Sequence, residues 1–205
     1  MKTLCKLSFL LLFFATFTSY CCDALPLSTH KRWIMDEATG KRVKLTCAHW
    51  VTHAEPMLAE GLSHLPLNDI VKQFPQRGFN CVRLSYATYM FTRYANVSVS
   101  ETFRSLDIPE MVAAIEKHNP WVLKMTHLHA FEAVVDSLDK QGVMMVIDNH
   151  VSLPKWCCLY DDQIGFFNDR HFQPHEWLQG LDLVAHSFKE KRHVSCHMYR
   201  HEKIN

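Results

Sequence analysis

Five consecutive apolar residues, Val143-Met144-Met145-Val146-Ile147, run straight into the polar triplet Asp148-Asn149-His150. A strand with one wet face alternates apolar and polar side chains. An unbroken apolar run of this length reads as a strand covered on both faces, the situation of a parallel sheet flanked by helices. The neighbouring segments fit. Phe131, Val134, Val135 and Leu138 recur at helical spacing before the run and are stopped by Gly142. Trp177, Leu181, Val184 and Phe188 line a helix after it, started near Pro174. Phe79 to Leu84 reads as an earlier strand. A helix opened by Pro66 and Asn68 precedes it, apolar at Leu67, Ile70, Val71 and Phe74 and closed by Pro75 and Gly78.

The rest of the chain extends the alternation. Arg32 to Met35 and Arg42 to Leu45, joined through Glu37 to Gly40, form a leading hairpin, and Val43 to Val51 continues as a strand. Cys47 and Cys81 fall inside strand-like runs and read as small buried hydrophobes. Ile108, Val112 and Ile115 make one more helical stripe, with Asp107 and Pro109 as N-cap and first turn. Strand and helix in turn imply a parallel α/β sheet with right-handed crossovers. The long connections, 52–65, 88–107 and 151–173, all follow strands; the short ones, 76–78 and 141–142, all precede them. The long loops therefore gather at the carboxyl ends of the strands, where α/β-barrel enzymes build their sites.

The ends of the strands carry the chemistry. Asp148 and His150 share a parity and point to one face of their strand. Arg83 interrupts an apolar strand, so its guanidinium needs an acidic partner or water; Asp148 is a candidate for an ion pair. The first long strand adds His49 and Trp50 to the same rim.

The first 24 residues are set aside from the fold. Lys2 and Lys6 precede the apolar run Leu7 to Phe17, and small residues follow up to Ala24. The run is far short of the ~20 residues of a membrane span and reads as a secretory signal, cleaved after Ala24. Export leaves Cys47, Cys81, Cys157, Cys158 and Cys196, an odd number, so at least one thiol lacks an internal partner. One of the adjacent pair Cys157 and Cys158 is expected to bridge to a distant loop. Asn96-Val97-Ser98 is an N-glycosylation acceptor. Twenty-two Lys and Arg against 21 Asp and Glu leave no basic footprint for nucleic acid or an anionic membrane.

The stretches RWIMDEATGKRVKLTCAHWVTHAEPMLAEGLS, GFNCVRLSYATYMFT, AFEAVVDSLDKQGVMMVIDNHVSLPKWCC and FFNDRHFQPHEWLQGL resemble, in order and spacing, glycoside hydrolase family 5 in its plant cellulase-like form. The resemblance implies a (β/α)8 TIM barrel, secreted and hydrolysing O-glycosyl bonds of β-linked polysaccharides with two glutamates and retention of configuration. It implies no cofactor and no metal. It assigns Arg83 to support of the nucleophilic carboxylate and His150 to the sugar beside the cleaved bond, with Asn149 next to it. Trp50 and Trp156 lie at rim positions where an indole could stack on a pyranose, and His49 stands where the plant sequences usually have Asn.

In the family, a strand ending Asn-Glu follows the last of these helices. Here the chain continues KEKRHVSCHMYRHEKIN, with no apolar strand and no match to either glutamate. A full barrel takes about 250 residues and roughly 180 remain after signal removal. The expectation is an N-terminal portion of the barrel with its leading hairpin over residues 25–189, a divergent polar tail over 190–205, and no turnover. A non-catalytic carbohydrate-binding protein on the same fold is the alternative. The tail residues His193, Cys196, His197 and His201 have zinc-like spacing but no supporting knuckle, and read as solvated. His127 and His129 read as loop or cap residues, and Trp33 and Trp177 as packing anchors. A thiol nucleophile at Cys157 or Cys158 beside His150 is disfavoured in an exported chain.

Overall fold

The computed structural model describes residues 27–157, 159, 161–191 and 193–198. The proposed signal segment therefore lies outside the described residues. The chain opens with an antiparallel sheet of β1 (Leu27–His30), β2 (Trp33–Asp36) and β3 (Lys41–Val43). The expected hairpin is present and gains one further strand. Its turn is organised by Asp36, whose carboxylate accepts from the Ala38 N–H (2.9 Å) and from Thr39 Oγ1 (2.5 Å), with Gly40 at φ 66°. Arg32 and Arg42 both lie over the Trp33 ring, which confirms it as a hairpin anchor.

The strand expected over Val43 to Val51 is two strands in two sheets. Residues 44–46 leave the first sheet, and β4 (Cys47–Val51) pairs in parallel with β5 (Cys81–Ala87). Asn80 makes this break possible. Its side chain accepts from the Thr46 N–H (2.8 Å) and donates to the Lys44 carbonyl (2.9 Å), so the backbone stays satisfied off the ladder. β5 pairs in parallel with β6 (Met144–Val151), giving the order β4-β5-β6-β7, with β7 at Val194–Met198.

β7 overturns the expectation of a tail without a strand for those five residues. The Met145 N–H donates to the His193 carbonyl (2.6 Å), and the register runs from Met145↔Val194 to Asp148↔Met198. The approach is pinned to the helix α5 (His127–Lys140): His193 Nδ1 donates to Asp139 Oδ1 (2.7 Å) and Lys191 pairs with Asp136. An edge strand is held by backbone bonds to a formed template, which hydropathy does not report.

Five other α-helices are α1 (Leu67–Gln76), α2 (Thr88–Thr92), α3 (Val99–Ser105), α4 (Pro109–His118) and α6 (Pro174–Phe188), with a short 3-10 helix at Val122–Lys124. The connection 88–107, read as a loop, thus contains α2 and α3. Ile108, not Asp107, caps α4; Asp107 instead turns the chain at φ 53°. His127 and His129 occupy the first turn of α5, capped by the Thr126 hydroxyl. Asn119, buried, donates to the carbonyls of Leu62 and Leu65 and accepts from the Leu67 N–H, which supplies the cap α1 lacks behind Pro66.

One face of the parallel sheet is covered by helices. Val82, Leu84 and Tyr86 of β5 and Met145, Ile147 and Val151 of β6 join Val71, Phe131, Val134, Val135, Leu138, Val184 and Phe188 in the main core. Tyr86, Phe91, Phe131 and Phe188 form a chain of edge-on and tilted ring contacts at 5.0–6.5 Å inside it. On the other face Cys81, Met144 and Val146 pack against Leu27, Val43 and Leu45, so the leading sheet plugs the amino end of the parallel strands. No helix among the described residues is long and apolar enough to cross a membrane.

The cysteine expectation is also corrected. Cys47 and Cys81 are disulfide-bonded. They are register partners on adjacent strands with Cα atoms 4.2 Å apart, so their side chains share a face within reach. Cys157 is disulfide-bonded as well, which removes it as a nucleophile, while Cys158 lies outside the described residues.

Candidate functional site

Strand parity sorts the strand-end residues into two sets. Register pairs His49 with Arg83 and Ser85 with Asp148. These residues and His150 share the face turned away from the helices, because their neighbours Trp50, Leu84, Tyr86 and Ile147 fill the helix-covered core.

At the centre, Arg83 Nη2 donates to Asp148 Oδ2 at 2.7 Å. Asp148 is buried, with 2 % of its side chain exposed, while Arg83 keeps 25 % in solvent. His150 Nδ1 lies 2.9 Å from the same oxygen. A carboxylate only accepts, so this nitrogen carries the proton. The 3.4 Å approach of Arg83 to it is then a contact between two donors to one acceptor.

A second set of bonds converges on Ser85 Oγ: His53 Nδ1 at 2.8 Å and His49 Nε2 at 3.0 Å. The Thr52 hydroxyl donates to the Ser85 carbonyl and ties the loop after β4 to β5. His53 is buried, and burial, reinforced by the charges of His150 and His49, pushes its pKa down to about 3, so it stays neutral. Burial, with Arg83 and His150 beside it, also lowers the pKa of His49. Among the described residues, Asp148 is the carboxylate whose charge opposes these shifts at both rings.

Above this cluster the His53 and His150 rings lie 4.4 Å apart, and the Trp156 indole is near-parallel to His53 at 6.3 Å. Trp156 is 61 % exposed, an unusual position for an indole and a flat apolar surface at the mouth of the site. The Lys155 N–H bonds the His53 carbonyl (3.0 Å) and holds this loop over β4. His49, Asp148 and His150 each offer one donor atom within 4.8 Å of the others, and could hold a metal ion.

Two of the residues expected here are elsewhere. Trp50 is buried on the helix side, its Nε1 donating to the Glu60 carbonyl (2.8 Å) and its ring 5.3 Å from Phe74. Asn149 is buried on the same side, donating to Thr88 Oγ1 (3.1 Å) and accepting from Trp177 Nε1 (3.1 Å). Parity excludes both: Trp50 alternates with His49 on β4, and Asn149 with Asp148 and His150 on β6. His53 and Ser85 were missed, yet His53 continues the parity of His49, and Ser85 that of Arg83. Asn96 is exposed in a turn before α3, and Ser98 of its triplet caps that helix by accepting from the Glu101 N–H (3.1 Å). Of the zinc-like tail residues, His193 is spent on Asp139, and His201 lies outside the described residues.

No profile of a known protein family matches the sequence. A Glycosyl hydrolase 5 family protein from Chamaecyparis obtusa is 48% identical over 181 residues, which is 87% of this chain. The chain is homologous to glycoside hydrolase family 5. It spans 33% of that relative's length. Among solved structures, the catalytic domain of the major endoglucanase from Xanthomonas campestris pv. campestris superposes with a TM-score of 0.64 at 20% identity, covering 83% of this chain and 44% of that one. An endocellulase from Pyrococcus horikoshii, in a complex with cellotetraose, gives 0.58 at 16% identity, covering 80% and 39%. The fold is thus a partial α/β barrel of the family 5 kind, plugged at one end by the leading sheet. The polar strand-end face, with Arg83, Asp148 and His150, is the concave side of that barrel wall.

Proposed function

We propose that this chain is a secreted, glycan-binding portion of a family 5 glycosidase that acts on β-linked polysaccharides, and that as it stands it binds glycan without cleaving it. The observation that carries the reading is the exposed Trp156 indole, near-parallel to His53 at 6.3 Å, with the His53 ring 4.4 Å from that of His150, which bonds Asp148 alongside Arg83. An indole face packs on the apolar face of a pyranose, and the imidazole and guanidinium groups beside it bond ring hydroxyls.

Retaining hydrolysis needs two carboxyl groups about 5–5.5 Å apart, one of them a proton donor. The described cluster offers one, Asp148, and its Oδ2 is already held by Arg83 and His150. This supports binding without turnover. Soluble cello-oligosaccharides are expected to perturb tryptophan fluorescence saturably, and Trp156→Ala to abolish the effect without lowering the melting temperature. Release of chromophore from an aryl β-glycoside at a rate above buffer would overturn the inactivity. Absence of any saturable sugar response would overturn the binding.

A further inference from the structure

Three imidazoles and one carboxylate crowd the concave side of β4–β6. The ring centroids of His49, His53 and His150 are 4.4–6.2 Å apart, and Asp148 Oδ2 lies 2.9 Å from His150 Nδ1. His49 and His53 meet at Ser85 Oγ, and His150 bonds Asp148, so imidazole nitrogens and a carboxylate oxygen gather in one small space.

We propose that His49, Asp148 and His150 form a binding site for a divalent transition-metal ion of the Zn2+ class. Two imidazole nitrogens and one carboxylate oxygen suit such an ion and leave a position open for water. Ligand bonds of about 2.0–2.2 Å place tetrahedral donors roughly 3.4 Å from one another. The three donor atoms already fall within 4.8 Å of each other, so closing the site takes movements of about an ångström, with the proton that His150 Nδ1 donates to Asp148 released to solvent as the ion takes its place. Asp148 and His150 sit on one strand at fixed spacing. His49, exposed, has the rotamer freedom to supply the rest. Ser85 orients the His49 ring from behind, and Arg83 bonds the ligand carboxylate, the kind of outer support that metal sites use. The guanidinium beside the ion also repels it, which lowers the affinity. Hard ions such as Mg2+ prefer all-oxygen sites and are excluded by the imidazoles.

The test is calorimetric titration of the full chain, disulfides intact, with Zn2+ in a buffer containing excess Mg2+. One ion is expected to bind per chain in the micromolar range and to shift the ring signals of His49 and His150 in the NMR spectrum. His49→Ala is expected to weaken binding at least about tenfold. That side chain is exposed, and an unchanged metal-free melting curve shows the variant folded. The double variant His197→Ala, His201→Ala is expected to bind as wild type does. No binding at millimolar Zn2+, wild-type affinity in His49→Ala, or loss of binding in the tail variant would each overturn the proposal.

Discussion

Arg83 and Asp148 show how a single pair joins stability to site geometry. Asp148 lost nearly all its water on folding, and its desolvation is offset by the guanidinium and the His150 ring. Arg83→Met removes the larger partner and leaves the carboxylate short of counter-charge. Breaking a fully buried pair costs about 3–5 kcal/mol. Arg83 is partly solvated, so the expected loss is nearer ~2 kcal/mol, read from the urea midpoint. His127 gives a residue-scale prediction away from the site. It is buried against Thr102 Oγ1 (2.7 Å), and burial lowers its pKa to about 4. Between the ordinary histidine value near 6.5 and 4, the unfolded chain takes up a proton that the native chain refuses. Its contribution to stability is therefore whole above about pH 6.5, falls as pH drops towards 4, and levels off below. His127→Gln is expected to be less stable at neutral pH but to lose less on acidification, as urea titrations at pH 7 and pH 4.5 would show. An equal acid loss in both proteins would refute the assignment.

Packing between elements rests on small contacts that periodicity does not reveal. Gly180 faces α2 from α6, and a Cβ there would lie 3.0 Å from Thr88 Cγ2. Gly180→Val drives two more methyl groups into that gap and is expected to cost about 1–3 kcal/mol, seen as a lower melting temperature. A neutral or stabilising result would mean that α6 can shift away from α2. The Cys47–Cys81 bond ties β4 to β5 across a separation of 34 residues. The chain-entropy account gives about 3–4 kcal/mol for a loop of this size, so the pair Cys47→Ala, Cys81→Ala is expected to unfold at markedly lower denaturant. Here the strand pattern was legible and the bond was not. Both cysteines read as apolar strand residues, and only register shows that they are opposite each other.

At the scale of the whole molecule, one continuous apolar cluster reaches from Trp50 through β5 and β6 to Phe188. No seam divides it, so thermal unfolding followed by near- and far-ultraviolet circular dichroism is expected to give coincident transitions. Separated midpoints would show that the cluster breaks into independently melting parts. Along the described chain the barrel wall keeps a layered order: plug, apolar floor, polar strand ends.

Periodicity alone determined much of this protein. Unbroken apolar runs and stripes at helical spacing sufficed for the parallel sheet, its helices and the side on which the loops collect, because burial on both faces leaves its mark residue by residue. Parity alone brought Asp148 and His150 together and made Arg83 a partner for them. Tertiary structure decided what depends on neighbours distant in the chain. It set the register that bonds Cys47 to Cys81, and it turned Trp50 and Asn149 into the helix layer. It also brought His53 onto Ser85 and recruited Val194–Met198 as a strand through backbone bonds to β6. Hydrogen bonds and register between distant segments carry no local hydropathic signature, so these features become visible only once the strands lie side by side.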